Sequence, residues 1–155
     1  MRNRLLALVL GALLLAGAGN AQDWFGVRSG YPLGVTVHYG FGSALATDAD
    51  LRVSGRLVAS SSGVRVGVGL DALLGVFADG PFDAYVGAGP SLEVGPGRAE
   101  LGVQALVGGQ FRFAPMGLPQ LGVFAEASAG AALSLSGGSA RVPTFGAALG
   151  VNWYL

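Results

Sequence analysis

From Trp24 onward, large apolar residues alternate with small or polar ones in runs separated by clusters of Gly, Pro, Ser and Asp. A period of two marks extended strands, because successive side chains leave a strand on opposite faces. Eight runs are predicted, over residues 24–30, 33–42, 50–60, 64–77, 83–94, 99–113, 121–135 and 145–155. Their even spacing between turn signals points to an all-β sandwich or barrel. Within the fifth run Pro90 lacks the amide that a ladder needs, so a bulge or kink is expected there.

The two faces differ in kind. In the second run Leu33, Val35, Val37, Tyr39 and Phe41 oppose Gly34, Thr36, His38 and Gly40; in the fourth, Val64, Val66, Val68 and Leu70 oppose Arg65, Gly67, Gly69 and Asp71. Every charge within a run falls on the small-residue face: Arg52, Arg56, Arg65 and Arg112 against Asp71, Glu93, Glu100 and Glu126. Facing hydrocarbon, an arginine at mid-depth would cost about 2–4 kcal/mol. Facing inward, four positive and four negative groups can pair. The expected arrangement is therefore an apolar outside around a lumen filled by an ion-pair network of these eight residues, eight strands being just wide enough for side chains to fill. The lumen glycines leave room for water, expected near Gly67, Gly87 and Gly108. Two alternatives stay open: a small passive pore, and the inverse arrangement, a secreted soluble lipocalin-like barrel that binds an apolar ligand.

Composition favours the first arrangement. Charged residues are 12% of the chain, whereas soluble surfaces carry about 25–35%. Apolar residues are 52%, yet no run after the N-terminal one is long enough for a spanning helix. A closed barrel solves this, since it pairs all backbone polar groups and leaves no edge in lipid. The N-terminal segment sets the compartment. Arg2 and Arg4 precede an apolar run from Leu5 to Ala18, followed by Gly19-Asn20-Ala21. This reads as a cleaved secretory signal over 1–21, with a retained anchor as the alternative, and leaves one domain over 22–155. Without cysteine there is no disulfide framework and no thiolate metal site.

The last run reads FGAALGVNWYL. Phe145, Leu149, Val151, Trp153 and Leu155 share its apolar face. It resembles the closing strand of bacterial outer-membrane β-barrels, which serves that family as an assembly signal and usually ends in Phe where Leu155 stands here. With the signal segment and the alternating runs, the chain is similar to the small eight-stranded outer-membrane barrels of the OmpA/OmpX type. The resemblance implies an antiparallel up-and-down eight-stranded transmembrane barrel in the cell outer membrane. Its implied partners are outer-membrane lipids and the barrel-assembly machinery, and its implied role is non-enzymatic, structural or surface-exposed.

Laid up and down with the N-terminus periplasmic, the strands gather most aromatics at the end that carries the chain termini: Trp24, Phe25, Tyr39, Phe41, Phe77, Phe82, Tyr85, Phe111, Phe113, Phe124, Trp153 and Tyr154. Such a ring matches an interfacial girdle. Asp23, Asp48, Asp50, Asp79 and Asp83 lie at the same end. Arg28, Arg98 and Arg141 lie at the other, where guanidinium forks suit lipid phosphates. The turns there, over 60–63, 95–98 and 136–141, are short, which counts against an adhesin. Chemistry is sparse. His38, the only histidine, has Thr36 nearby but no adjacent serine, so a hydrogen-bonded lumen histidine outweighs a catalytic one. Gly67-Val68-Gly69-Leu70 lies within a strand pattern and is no phosphate loop. No cofactor, metal or nucleic-acid site is expected, as there is no basic stripe.

Overall fold

The structure, a computed structural model, describes residues 23–42, 49–60 and 63–155. The signal segment 1–21, Asp48 and the tip of the turn at 61–62 lie outside the described residues. Eight strands follow in chain order: β1 (Trp24–Tyr31), β2 (Gly34–Phe41), β3 (Ala49–Ser60), β4 (Gly63–Asp79), β5 (Phe82–Gly95), β6 (Arg98–Arg112), β7 (Leu121–Ser134) and β8 (Ala140–Tyr154). Each pairs antiparallel with its sequence neighbours, and β1 closes on β8, so the sheet is an up-and-down barrel without an edge. We call the end bearing Trp24 and Tyr154 proximal, and the end bearing the β1–β2, β3–β4, β5–β6 and β7–β8 turns distal.

The strands lie where the period-two pattern puts them. The difference is β8, which starts at Ala140 rather than 145 and so takes in Pro143. Its pairing with β7 shifts register between Gly130 and Ala132, giving β8 one extra residue there. A bulge is one of the few places where a sheet tolerates proline, because the missing amide has no ladder position to fill. Pro90 behaves otherwise, and the expected bulge is absent from it. On the β6 side Pro90 faces Val103 in an unbroken register, and on the β4 side the same register holds from Gly69↔Ser91 to Ala72↔Ala88. The proline removes a donor without adding a residue. The bulge of β4 lies instead between Gly75 and Phe77.

Closure depends on glycines that face inward where neighbouring strands coil tightly. A methyl built on Gly89 would overlap the Leu70 carbonyl, one on Gly30 the Ala147 carbonyl, and one on Gly130 the Val103 carbonyl. A side chain at any of them would have to push a strand outward. The distal β5–β6 connection is a two-residue turn, Pro96-Gly97, in which Gly97 takes φ +65°, as the second central position of a tight turn after proline requires.

Gly89→Ala is expected to lower the unfolding free energy by about 1–3 kcal/mol, the usual range for overpacking. Gly75→Ala, with nothing within 4 Å of the added carbon, is expected to leave it unchanged or slightly raised. Urea titration of the detergent-folded protein measures both; equal losses would rule out the close approach at Gly89.

Candidate functional site in the barrel lumen

Side-chain polarity is inverted relative to a soluble protein. Val37, Val64, Val103 and Leu149 are among the many large apolar residues exposed on the outer wall, while Arg52 and Asp71 are 2% and 1% exposed inside it. Among the described residues the charges thus lie inside the barrel and the large aliphatic side chains mostly outside, the reverse of a lipocalin-type arrangement. Its contents fall into layers along the barrel axis.

The proximal layer is aromatic and aliphatic. Trp24, Leu73, Leu106 and Tyr154 form a buried cluster with Tyr85 packed against it, and the Trp24 and Tyr154 rings lie 6.3 Å apart. These rings fit because each faces a glycine on the next strand. Trp24 pairs with Gly40, Tyr85 with Gly108 and Phe124 with Gly150, and a methyl on any of these glycines would overlap the ring it faces. A methyl on Gly87 would meet Leu73 and Leu106. The water expected near Gly87 and Gly108 is thus replaced by side chains. Trp24, Tyr85, Phe124 and Tyr154, expected in the outer girdle, point inward instead; Phe25, Phe77, Phe82 and Trp153 are exposed outside. Their inward direction follows from strand parity, which puts them on the small-residue face.

Beside the aromatic cluster runs a neutral polar chain whose orientation is anchored by a carboxylate. Gln110 Nε2 reaches Asp83 at 3.4 Å, leaving its oxygen to accept from Asn152 Nδ2 at 2.9 Å and from the Tyr154 hydroxyl. Asn152 Oδ1 then accepts from Nε2–H of the buried His38 at 2.8 Å. The His38 ring also meets the Phe124 ring edge-on at 5.6 Å.

The central layer holds two arginines and two carboxylates. Arg52 Nη2 and Nε donate to Asp71 Oδ2 at 3.0 and 3.2 Å, and Arg52 Nη1 pairs with Glu126. Arg28 pairs with Glu126 from the far side and stands 4.0 Å from Asp71. Neutral donors complete both acids: the Tyr85 hydroxyl reaches Glu126 at 2.8 Å, and Gln104 Nε2 reaches Asp71 at 2.9 Å. Buried charges persist when paired and further hydrogen-bonded, as here.

The distal layer centres on Glu100, which takes Arg98 Nε at 2.9 Å, Arg141 at 2.6 Å and Arg65 at 3.6 Å. Arg65 Nη1 also meets Glu93 at 2.6 Å, and Arg56 donates to the Pro32 carbonyl at 3.0 Å. Between the central and distal layers lies a cavity of about 430 Å³.

The eight charges proposed as one network are therefore distributed. Arg52, Asp71 and Glu126 meet at the centre; Arg65, Glu93 and Glu100 meet distally; Arg56 turns to a backbone carbonyl. Arg112 departs furthest, lying half-exposed at the proximal end on Asp83 at 2.7 Å and 4.6 Å above the Tyr154 ring. Of the three arginines assigned to a lipid-phosphate rim, Arg98 and Arg141 are at the distal mouth, tied to Glu100. Arg28 is inside, because it shares parity with Trp24 and Gly26 and its long stem reaches Glu126. Tyr85, expected in the girdle, and Gln104 complete the centre. The parity of β1 was enough to find Arg28, but Tyr85 needed the register that sets it against Gly108. Among the terminal-strand residues, Trp153 faces Phe25 and Leu121, Val151 faces Val27 and Val123, and Leu149 faces Ser29 and Ala125 on the outer wall. Phe145 faces Ala129 there, and the Leu155 amide donates to the Asp23 carbonyl at 2.9 Å.

Arg52→Ala leaves Asp71 and Glu126 buried with one cation fewer and is expected to cost about 3–5 kcal/mol. Arg98→Ala, at the exposed mouth, is expected to cost about 0–1 kcal/mol. Matching urea midpoints for the two variants in detergent would contradict a buried central cluster.

No protein-family model and no curated protein matches this sequence. Among solved structures, the chain is similar to the N-terminal β-barrel domain of Pseudomonas aeruginosa OprF, with 14% identity and a TM-score of 0.62, covering 87% of this chain and 96% of that one. It is also similar to Neisserial surface protein A, with 18% identity and a TM-score of 0.48, covering 86% of this chain and 93% of that one. The likeness to the OprF barrel establishes the fold, a closed eight-stranded antiparallel barrel.

Proposed function

We propose that the chain is a non-enzymatic outer-membrane β-barrel protein, a structural or surface component of the membrane whose filled lumen passes no steady ion current. The observation that carries this reading is the inverted polarity: a continuous apolar wall outside and paired charges inside. An apolar wall of this extent is stable in hydrocarbon, and closure satisfies the backbone there. The outward Phe25, Phe77, Phe82 and Trp153 supply anchors at the proximal interface. The predicted secretory signal agrees with passage to an outer membrane. Against an enzyme, His38 contacts an amide and a phenyl ring rather than a nucleophile. Against a passive pore, the aromatic layer and the central ion pairs stand in series along the axis.

The protein is expected in the outer-membrane fraction, with heat-modifiable gel migration and no stable conductance in planar bilayers. Glu126→Ala, which removes the shared partner of Arg28 and Arg52, is expected to open a weak anion-preferring leak. Uniform, long-lived channels of the native protein would replace this reading with the passive pore. Recovery in the soluble periplasmic fraction would remove the membrane assignment altogether.

The outer face of β8 is proposed as the element read by the assembly machinery. Trp153→Ala with Leu155→Ser changes that face while sparing Tyr154 and Asn152, which hold the lumen. Export and refolding into detergent are expected to proceed, with accumulation in the outer membrane falling severalfold. Unchanged accumulation would remove the assembly role from these residues.

A further inference from the structure

We infer that the distal half of the lumen is a binding site for a small oxyanion, with phosphate as its type. The cavity there is lined by four arginines, Arg28, Arg56, Arg65 and Arg141, by three glutamates, Glu93, Glu100 and Glu126, and by serine and threonine hydroxyls. Charge in this region does not balance. Distal to the aromatic layer stand Arg28, Arg52, Arg56, Arg65, Arg98 and Arg141, six cations, against Asp71, Glu93, Glu100 and Glu126, four anions. At the cavity wall itself four arginines face three glutamates, a surplus of one positive charge. The four carboxylates are engaged by five of the arginines. Among the described residues, Arg56 has no carboxylate within 4.0 Å and donates to a single backbone oxygen. It stands across Gly67 from Glu93, the foremost of its charged neighbours, and also in the opposing fields of Arg28 and Arg65.

A second observation points to the same missing acceptor. Arg65 uses Nη1 on Glu93 and Glu100, while its Nε is buried with no hydrogen-bond partner. Buried donors are ordinarily satisfied, and an orphan on a guanidinium beside a cavity asks for an oxygen. Like charges converging in a partly desolvated space raise the energy of the empty site and lower it for an anion. The ligand class follows from these donors. A tetrahedral or planar oxyanion presents several acceptors to planar guanidinium forks and to hydroxyls at once. A cation meets a positive surplus, and an apolar ligand finds charges and hydroxyls on the walls. The volume of about 430 Å³ lies toward the small end of ligand pockets and takes phosphate with its bridging waters. Entry is from the distal mouth, so the oxyanion comes either free from solution or as the phosphate of a lipid headgroup.

The test uses the full-length mature barrel folded in a maltoside detergent that contains no phosphate, independently of where the protein resides in the cell. Inorganic phosphate is titrated calorimetrically, with ionic strength held constant by chloride. One saturable site is expected. Arg56→Gln, which keeps the stem and removes the charge, is expected to weaken it by about tenfold or more, a typical loss for a charge-assisted contact. Ser91→Asp, which places a further carboxylate in the wall, is expected to abolish it, and Arg112→Gln, at the opposite end of the barrel, to leave it unchanged. Each variant is checked for the heat-modifiable folded band, and Ser91→Asp decides the matter if Arg56→Gln does not fold. Repeating the titration in anionic phospholipid discs separates the sources: retained binding assigns a free anion, and binding seen in maltoside alone assigns a headgroup phosphate. Absence of saturable binding in maltoside, or full binding by both cavity variants, overturns the inference.

Discussion

The pairing of Glu126 with Arg28 and Arg52 is the interaction on which the interior depends. Glu126 comes from β7, Arg52 from β3 and Arg28 from β1, so one carboxylate draws together strands that lie apart around the barrel. Asp71 on β4, Tyr85 on β5 and Gln104 on β6 complete the cluster. The two remaining strands join through the neutral chain His38–Asn152–Gln110. A wall whose outer face is apolar gains little from packing against itself. What crosses the lumen must therefore be polar and satisfied, since an unpaired charge inside would cost more than the pair contributes.

Glycine is the second half of that arrangement. Three of the inward rings fit only because the residue opposite them on the next strand is glycine. Trp24, Tyr85 and Phe124 each take the level vacated by the cross-strand Gly40, Gly108 and Gly150. The abundance of glycine on the small-residue face thus has two physical causes. Some glycines receive rings, and others, such as Gly30, Gly89 and Gly130, let backbones approach. Neither use leaves free volume at those sites. Open volume is found in the distal half, where Gly67 and Gly69 line the cavity without a ring to fill it.

Much of this was legible in the chain. Period two revealed the eight strands, their two faces and the burial of charge, because each depends only on local alternation. The strand at Ala140 was hidden by Pro143, whose usual meaning is a break, while the bulge that accommodates it is a property of pairing with β7. Pro90 was misread for the converse reason: its lost donor needed no extra residue. The choice of partners was illegible. Arg112 shares its parity with Glu100, yet it lies at the opposite end of β6 and finds Asp83. Arg28 stands near the distal end of β1 by position, but its stem carries the guanidinium to the central layer. Parity tells which face a residue occupies; depth along the axis, and the reach of a long side chain, come only with register and strand tilt.

The two ends of the lumen consequently do different things with the same small-residue face. Proximally, rings fill the bore and Asp83 at the rim pairs with Arg112. Distally, serines and glycines leave space, and arginines outnumber acids. Where the bore is open, the wall keeps one arginine more than its glutamates, and an arginine donor goes unmet. A plug alone would be better served by larger apolar residues in the distal half, since replacing buried ion pairs with packed side chains is often neutral or stabilising. Keeping both the cavity and the surplus of arginine there makes physical sense if negative charge enters from the distal side and stops at the central cluster, where Asp71 and Glu126 restore neutrality and the aromatic layer ends the path.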